Sequence, residues 1–214
     1  MAIRSVYYIQ NHKVNKEDIE IKWASGFSYS QKQKNIVTLH EAISERFNVS
    51  TNEILEVSTK SLLEIGKMLS SINLEFEIEG KKYFFESVYQ SCKVFQDGLL
   101  GTIHHPEWIE LESFEAKKAS QAINLPLVEF KFKDMTFPLE PKTMFFDWLY
   151  ISCINQLNIK FLIDPYYYFT DIEFNPTKMI STQAQALCKY KNLVEQNLIE
   201  EFLKNPKKFY EEDK

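Results

Sequence analysis

A row of polar side chains that could do chemistry runs through residues 85–95. Glu86, Gln90 and Lys93 are spaced by four and three residues, so in a helix they share one face. The apolar residues of the segment form an adjoining stripe: Phe85, Val88, Tyr89, Cys92 and Phe95. This pattern is typical of a helix at a pocket rim, and a plain solvated flank is the alternative. A carboxylate and an amine among many aromatic rings suit the stacking of a planar base and the making or breaking of a glycosidic bond.

A second carboxylate of interest is Asp147, which lies within residues 143–154, a segment that is apolar almost all round. That composition predicts a central, buried helix. Burial penalises a carboxylate unless it is paired. Asp147 is therefore either a structural hydrogen-bond hub or a site residue.

Signatures of common cofactor and metal sites are absent from the sequence. There is no GxGxxG, P-loop or GxSxG motif and no Cys/His pair at zinc spacing. His104 and His105 are adjacent, so in regular structure they cannot point together. Cys92, Cys153 and Cys188 are odd in number, far apart and set among apolar neighbours, which favours buried free thiols. We expect neither a metal nor a cofactor.

The composition excludes several classes of protein. The 214 residues are 44% apolar and 26% charged with only five Gly, unlike a disordered or collagen-like chain. The net charge of −5 excludes an extended electrostatic grip on duplex DNA, so any nucleic-acid contact is expected to be local. No long apolar stretch occurs, and residues 1–6 lack a charged leader before a hydrophobic run. We expect a soluble, cytoplasmic protein with no membrane partner.

Periodicity places the candidate residues on strands and helices. Alternation predicts short strands at residues 6–9, 19–23 and 54–57 and hairpins over 74–85 and 128–137. Spacings of three and four predict helices over 31–47, over 85–95, from 177 onward and around 198–203. Residues 161–176, with their tyrosine cluster, predict a long ordered loop of the kind that carries function. With no repeat or flexible linker, we expect one domain over 1–214, comprising a β segment over about 1–25 and a helical core over about 30–205.

Several sequence blocks, taken in order, resemble the NADAR family. They are SQKQK (30–34), HEA (40–42), LEVSTKS (55–61), Gly66, LSSINL (69–74), FESVYQ (85–90), KVF (93–95), PLEPKT (138–143), FDWLY (146–150) and FTDIEFNP (169–176). The resemblance covers roughly residues 20–210. More narrowly, the chain resembles the branch associated with DarT-type toxins, which ADP-ribosylate guanine in DNA.

The resemblance implies a fold and a function. The implied fold is α+β, a predominantly helical single domain with small antiparallel β-hairpins. The implied function is an ADP-ribosyl glycohydrolase, a hydrolase of the N-glycosidic bond, that removes ADP-ribose from guanine in DNA and acts as an antitoxin. The implied partners are ADP-ribosylated guanine in DNA, contacted locally as a single strand, and a DarT-type toxin. Family members outside this branch are linked to N-glycosidic bond hydrolysis in riboflavin-pathway intermediates.

The same resemblance assigns residues. It places catalytic groups at Glu86, Lys93 and Asp171. We assign substrate binding to Lys60, Ser61, Ser71, Asn73, Tyr89, Gln90, Phe137, Asp147, Trp148 and Asn175. Lys32 and Lys34, together with Lys60, are expected near the DNA entrance, and a solvated helix flank is the alternative for the first two.

The implied mechanism depends on charge. Cleaving a ribosyl–nitrogen bond builds positive charge on the sugar, which the Glu86 carboxylate would stabilise. Lys93, on the same helical face, could attack as a neutral amine and form a Schiff base with the opened ribose, provided that its pKa falls from about 10.4. A Glu86–Lys93 ion pair, or a Lys93 contact to phosphate, is the alternative. Asp171 would position ribose or water, or it only caps its loop.

Three departures from the family pattern keep other functions open. Phe137 stands where many relatives have Trp, residues 96–101 replace a Gly-Gly-Pro-Tyr run, and residues 114–118 read FEAKK. One rival is a catalytically impaired NADAR-like binding module, and another is a metabolic N-glycosidase acting on small nucleotides. A purely structural protein is the third.

Overall fold

The computed structural model describes residues 1–26, 28–98, 101–177 and 179–210. It shows an α+β protein that is 44% helix and 25% strand, with strands arranged in sheets of four, two and four. The prediction of a predominantly helical domain with small hairpins is therefore wrong. The reason is that strands distant in sequence pair with one another, and local periodicity does not reveal such pairing.

The helices and strands have the following bounds. The strands are β1 Ala2–Gln10, β2 Lys13–Ile21, β3 Ile54–Glu56, β4 Glu75–Ile78, β5 Lys81–Phe84, β6 Lys93–Asp97, β7 Gly101–His104, β8 Leu127–Phe132, β9 Met135–Pro138 and β10 Tyr168–Thr170. The α-helices are α1 Tyr29–Phe47, α2 Glu64–Met68, α3 Phe85–Ser91, α4 Ser113–Ala122, α5 Met144–Gln156, α6 Lys160–Ile163, α7 Gln183–Glu195 and α8 Ile199–Lys204. Short 3₁₀ helices cover Thr51–Glu53, Pro106–Glu110 and Pro206–Tyr210.

The first sheet has the order β2-β1-β10-β3. β10 runs antiparallel to β1, with Val6 opposite Thr170, and parallel to β3, with Phe169 opposite Leu55. The predicted loop over residues 161–176 therefore contains helix α6 and a central strand. Because β3 and β10 are parallel, their carboxyl ends meet, and this brings Glu56 beside the residues that follow Thr170.

The second four-stranded sheet has the order β7-β6-β8-β9. Lys93 is the first residue of β6 and pairs with Phe130 of β8. The predicted helix over 85–95 therefore ends at Ser91, and Lys93 does not share a helix with Glu86. Its amide and carbonyl groups belong to a sheet ladder, although the spacing of the side chains fits a helix equally well.

Several other elements agree with the sequence predictions. The hairpins appear as β4–β5 and β8–β9, and the buried helix as α5. α1 begins at Tyr29, where the Ser28 hydroxyl accepts a hydrogen bond from the Gln31 N–H. The helix predicted from residue 177 begins only at Gln183, because Thr182 caps it there. Among the described helices, none combines the length and the apolar character needed to cross a bilayer.

The core consists of two groups of buried side chains. The larger group surrounds α5, and its aromatic rings include Phe130 and Phe145, whose centroids are 4.4 Å apart. The smaller group packs α1 against the first sheet through Ile36, Leu39 and Ile43. Burial of this apolar surface is the main source of stability, and it fixes the sheet ends that carry the polar residues discussed below.

Gly66 of α2 lies where a backbone approach leaves no room for a side chain. A Cβ atom there would be 2.0 Å from the carbonyl oxygen of Glu56 and 2.3 Å from the hydroxyl oxygen of Ser61. We therefore expect Gly66→Ala to lower the free energy of unfolding by about 3 kcal/mol, measured by urea denaturation. Gly98→Ala is the matched control, because its Cβ would meet no atom of the described residues within 4 Å. Equal stability of the two variants would contradict this packing.

Candidate active site

The first group of polar side chains lies on α3. Glu86 is in the first turn of the helix and is half-buried. Its Oε1 accepts a hydrogen bond of 2.7 Å from Nε2 of Gln90, one turn later. The other amide atom, Oε1 of Gln90, is buried without a hydrogen-bond partner among the described residues. The carboxylate is thus held on the helix, and an acceptor beside it is left for another donor.

Lys93 lies next to this helix although it belongs to β6. Its half-buried Nζ donates to the hydroxyl of Ser120 on α4 at 3.0 Å and lies 5.6 Å from the Tyr89 ring centroid. Burial lowers the pKa of Lys93, an effect that the Glu86 carboxylate opposes and the positive charge of Lys117 reinforces. Glu86 and Lys93 therefore interact electrostatically. Glu86 is positioned by helix α3 and Lys93 by strand β6.

Asp171 follows β10 and is buried. Its Oδ1 accepts from the N–H groups of Glu173, at 3.0 Å, and Phe174, at 3.2 Å, and its Oδ2 accepts from the Thr182 hydroxyl at 3.1 Å. Burial, followed by the charge of Glu56, raises the pKa of Asp171 to about 8. Asp171 therefore caps its own loop, as one of the two sequence interpretations has it, and near neutral pH it holds a proton.

Glu56 is a buried carboxylate directly beside Asp171 in this network. It accepts from the Thr170 hydroxyl at 2.7 Å and from the Ile172 N–H at 2.8 Å. Burial raises its pKa as well. Arg4 acts electrostatically with both carboxylates, and its Nε donates to the carbonyl of Ile172 at 3.0 Å. The positive charge of Arg4 can offset only one of these two buried negative charges. The pair of carboxyl groups therefore favours keeping one proton.

A cavity of about 500 Å³ opens beside this network. Its lining includes Glu56, His40 and Tyr166 together with apolar side chains of α1 and of residues 62–63. The ring Nε2 of His40 lies 3.1 Å from the Thr170 hydroxyl oxygen, and burial lowers the pKa of His40 to about 4. His40 is therefore neutral near pH 7, and Thr170 connects it to the Glu56 carboxylate.

Four of the predicted binding residues lie on the segments between β3 and β4. The Nζ of Lys60 donates to the Thr59 hydroxyl at 2.9 Å, and that hydroxyl donates to Glu173 at 3.2 Å. Ser61 is buried, and its hydroxyl oxygen accepts from the Leu63 N–H. Asn73 is exposed and donates to the carbonyl of Lys67 at 2.9 Å, and the fourth residue is Ser71. The Thr59 hydroxyl thus connects Lys60 to Glu173, in the loop that follows Asp171.

Gln183 ties these segments together. Its Oε1 accepts from the N–H of Ser71 at 2.7 Å, and its Nε2 donates to the carbonyl of Val57 at 2.5 Å. A few residues later, the carbonyl of Leu74 accepts from the N–H of Phe85 at 2.9 Å, directly before Glu86. Residues 71–74 therefore lie between two sets of polar side chains. We call Glu86, Gln90, Lys93 and Ser120 the Glu86 group, and Arg4, Glu56, Thr170, Asp171 and Thr182 the Asp171 group. Among the described residues, Glu86 and Asp171 share no hydrogen-bond partner.

The remaining predicted binding residues have local partners. Tyr89, Phe137 and Trp148 are packed among aromatic rings, and Trp148 also donates to the Leu203 carbonyl at 3.0 Å. Asn175 accepts from the N–H and the hydroxyl of Thr177, at 3.0 and 2.7 Å. These contacts are those of core residues and of a turn.

Asp147 is fully buried on α5. Its Oδ2 accepts from the Tyr210 hydroxyl at 2.5 Å and lies 3.4 Å from Nζ of Lys189, whereas its Oδ1 has no partner among the described residues. The carboxylate fastens the C-terminal 3₁₀ helix to the core, which is the structural-hub alternative of the sequence interpretation.

Three residues of the candidate site, Glu56, Ser120 and Gln183, are not predicted from the sequence. Glu56 is a carboxylate inside an apolar strand, a pattern that could have identified it as a buried acid. Ser120 and Gln183 have no such signal, since each reaches its partner only through tertiary packing. Of the departing segment 96–101, Leu99 and Leu100 lie outside the described residues.

The buried acids predict a characteristic dependence of stability on pH. Between its ordinary value of 3.8 and about 8, Asp171 keeps a proton in the folded state that the unfolded chain has released. Unfolding therefore releases protons, and the free energy of unfolding falls as pH rises towards 8. We expect this decline between pH 6.5 and 8 in urea denaturation, and a smaller slope in Asp171→Asn. Glu56 acts in the same direction, so some decline remains in Asp171→Asn, whereas His40, with its pKa lowered from 6.5 to about 4, acts in the opposite direction and mainly below pH 7. Equal slopes in the two proteins would contradict a protonated Asp171.

Comparisons with known proteins agree with the sequence resemblance. A family model described as DarT1-associated NADAR antitoxin matches residues 2–212. The search of curated proteins found no match. The matched range includes both the Glu86 group and the Asp171 group.

Proposed function

The chain belongs to the family of DarT1-associated NADAR antitoxins, and from this we propose that it hydrolyses the bond between ADP-ribose and guanine in DNA. The family implies pairing with a DarT toxin, and glycosidase-like activity is known among NADAR proteins. Removal of ADP-ribose would reverse the modification that such a toxin makes.

The observation that carries the proposal is the environment of Lys93. A lysine can act as a nucleophile only when it loses its proton, and burial lowers the pKa of this one. Its Nζ donates to the Ser120 hydroxyl at 3.0 Å, and this hydrogen bond fixes the position of the nitrogen that would attack. The Glu86 carboxylate acts electrostatically on the same amine and partly opposes this lowering of its pKa, because the two groups lie near each other.

In the proposed reaction, each group has a separate task. The lone pair of Lys93 attacks the anomeric carbon as the bond from that carbon to the guanine nitrogen breaks. The bonding electrons leave with guanine, which takes up the proton that the Lys93 nitrogen loses. The Glu86 carboxylate stabilises the positive charge that builds on the ribose. The bond from the anomeric carbon to the ring oxygen then breaks to give a protonated Schiff base, and the ring oxygen takes up a proton from water. A water molecule adds to the same carbon and gives up a proton, and the carbon–nitrogen bond breaks, which releases ADP-ribose and restores the amine.

The Asp171 group supports the proposal as a binding element. Glu173, in the loop of Asp171, accepts from Thr59 next to Lys60, and Gln183, which follows the Asp171 partner Thr182, accepts from the N–H of Ser71. Hydrogen bonds from Ser71 to Gln183 and from Phe85 to Leu74 place residues 71–74 between this group and Glu86, and we propose that the ligand extends along them with its ribose at Glu86. We propose that Asp171, protonated near pH 7, acts by ordering this loop and positioning the ribose.

The position of Phe137 weakens the case for an impaired binding module. Its ring packs against Phe145 and Trp148 and is 2% exposed. A change from Trp to Phe at this place therefore alters core packing, and the assignment of Phe137 to substrate binding stays a prediction.

The test is the release of ADP-ribose from a single-stranded oligonucleotide that carries ADP-ribosylated guanine. We expect the protein to release ADP-ribose and restore unmodified guanine, followed by mass spectrometry of both products. Binding without release would favour the impaired module. Faster hydrolysis of free modified nucleotides than of the oligonucleotide would favour the metabolic N-glycosidase.

A further inference from the structure

We propose that a groove between residues 22–24 and the first turns of α1 binds the DNA strand beside the modified guanine. This inference rests on the proposed function and extends it to the path of the strand. The groove has a volume of about 600 Å³. It is lined by Lys22, Trp23, Ala24, Ser30, Gln33, Lys34, Val37 and Thr38.

The charge of the groove suits a phosphate backbone. Among its described lining residues are two lysines, Lys22 and Lys34, and no carboxylate, although the chain as a whole has a net charge of −5. Both lysines are exposed. The neighbouring Ser30 hydroxyl and Gln33 amide can donate to phosphate oxygens or base edges, whereas the Thr38 hydroxyl donates to the carbonyl of Lys34 at 3.1 Å. The two lysines therefore attract a strand to this place, while the net negative charge of the chain opposes non-specific binding elsewhere.

Trp23 gives the groove a surface on which a base can stack. Its indole is half-buried, whereas Trp108 and Trp148 are buried in the core. The guanidinium carbon of Arg4 lies 4.4 Å from the Trp23 ring centroid, and Nζ of Lys32 lies 5.5 Å from it. Proteins that bind single-stranded nucleic acids combine an aromatic ring, on which a base stacks, with nearby cations that contact the phosphates.

The wall that carries Trp23 is already fixed in place. The buried Asn35 side chain of α1 accepts from the Ala24 N–H at 2.7 Å and donates to the Ala24 carbonyl at 3.0 Å. These two bonds fasten residues 22–24 to the helix that forms the opposite wall. A strand would therefore meet a preformed groove, which lowers the entropic cost of binding.

The groove adjoins the Asp171 group. Arg4 contacts Trp23 and also donates to the carbonyl of Ile172, the residue after Asp171. Lys32 Nζ lies 4.0 Å from a carboxylate oxygen of Glu173. A strand in the groove would therefore have its next nucleotide beside the loop that we place against the ADP-ribose.

The direct test measures binding of an unmodified, fluorescently labelled single-stranded DNA by anisotropy. We expect Trp23→Ala and Lys34→Glu each to weaken binding by about 10-fold, and Trp23→Phe to weaken it less, because a phenyl ring still stacks. Lys207→Glu, at an exposed lysine of the C-terminal 3₁₀ helix, is the matched charge control and should have a smaller effect than Lys34→Glu. Affinities of Trp23→Ala and Lys34→Glu within twofold of the parent protein would overturn the proposal, as would stronger binding of duplex DNA than of the single strand. Thermal unfolding of each variant checks that it folds.

A second measurement separates this proposal from the proposed function. Hydrolysis is compared on a modified oligonucleotide and on the modified single nucleoside. We expect Trp23→Ala to lower kcat/KM about 10-fold on the oligonucleotide and to leave the nucleoside unaffected. An equal loss on both substrates would overturn the groove assignment. If the parent protein hydrolyses neither substrate, the proposed function fails, while the anisotropy result still decides whether the groove binds DNA.

Discussion

Glu86→Gln is expected to lower the turnover of ADP-ribosylated DNA by about 10²- to 10⁴-fold. The substitution keeps the size of the side chain and an oxygen that can accept from Gln90, but it removes the negative charge. The developing positive charge on ribose then loses its stabilising partner. Single-turnover release of ADP-ribose measures the effect on the chemical step.

A matched control shows whether the loss belongs to this position. Glu200→Gln makes the same chemical change at an exposed residue of α8 and should leave turnover unchanged. A loss of only a few-fold in Glu86→Gln would reduce Glu86 to a binding residue and would move the catalytic carboxylate elsewhere.

Lys93→Arg is expected to lower turnover by about 10³-fold or more, because arginine keeps the positive charge but supplies no neutral amine. Lys117→Arg, at a neighbouring exposed lysine that acts electrostatically on Lys93, is the control and should stay near the parent rate. Near-normal turnover in Lys93→Arg would instead support the ion-pair or phosphate-binding alternative.

Borohydride reduction gives an independent check on Lys93. Reduction during turnover should trap a covalent adduct in the parent protein, and peptide mapping should place it on Lys93. An active enzyme that yields no adduct would remove the covalent route and leave attack by water. The rate of the covalent route should rise with pH until Lys93 is deprotonated, over a range below that of an ordinary lysine, because burial lowers the pKa of Lys93.

Local patterns in the sequence predict a large part of the fold. The apolar row of α1, the uniformly apolar α5 and the two alternating hairpins follow from periodicity and turn residues. These elements have strong signals because each buries one face, or all faces, against a single core.

The features that the sequence misses depend on tertiary pairing. β10 has only three residues, and the tyrosine run before it hides the alternation, yet it occupies the centre of a sheet. Lys93 fits a helical spacing but lies in a ladder with β8. Ser120 and Gln183 reach Lys93 and Ser71 across the fold, so no local spacing could have indicated them.

The convergence of Glu86 and Lys93 on one sugar carbon is tested most directly by a crystal structure of the protein with bound ADP-ribose. The quantities to measure are the distances from the anomeric carbon to the Glu86 carboxylate and to Nζ of Lys93. Both should be about 3–4 Å, the separation of groups about to react. An anomeric carbon that lies beside His40 and Glu56, or beyond the reach of both side chains, would contradict this catalytic pair.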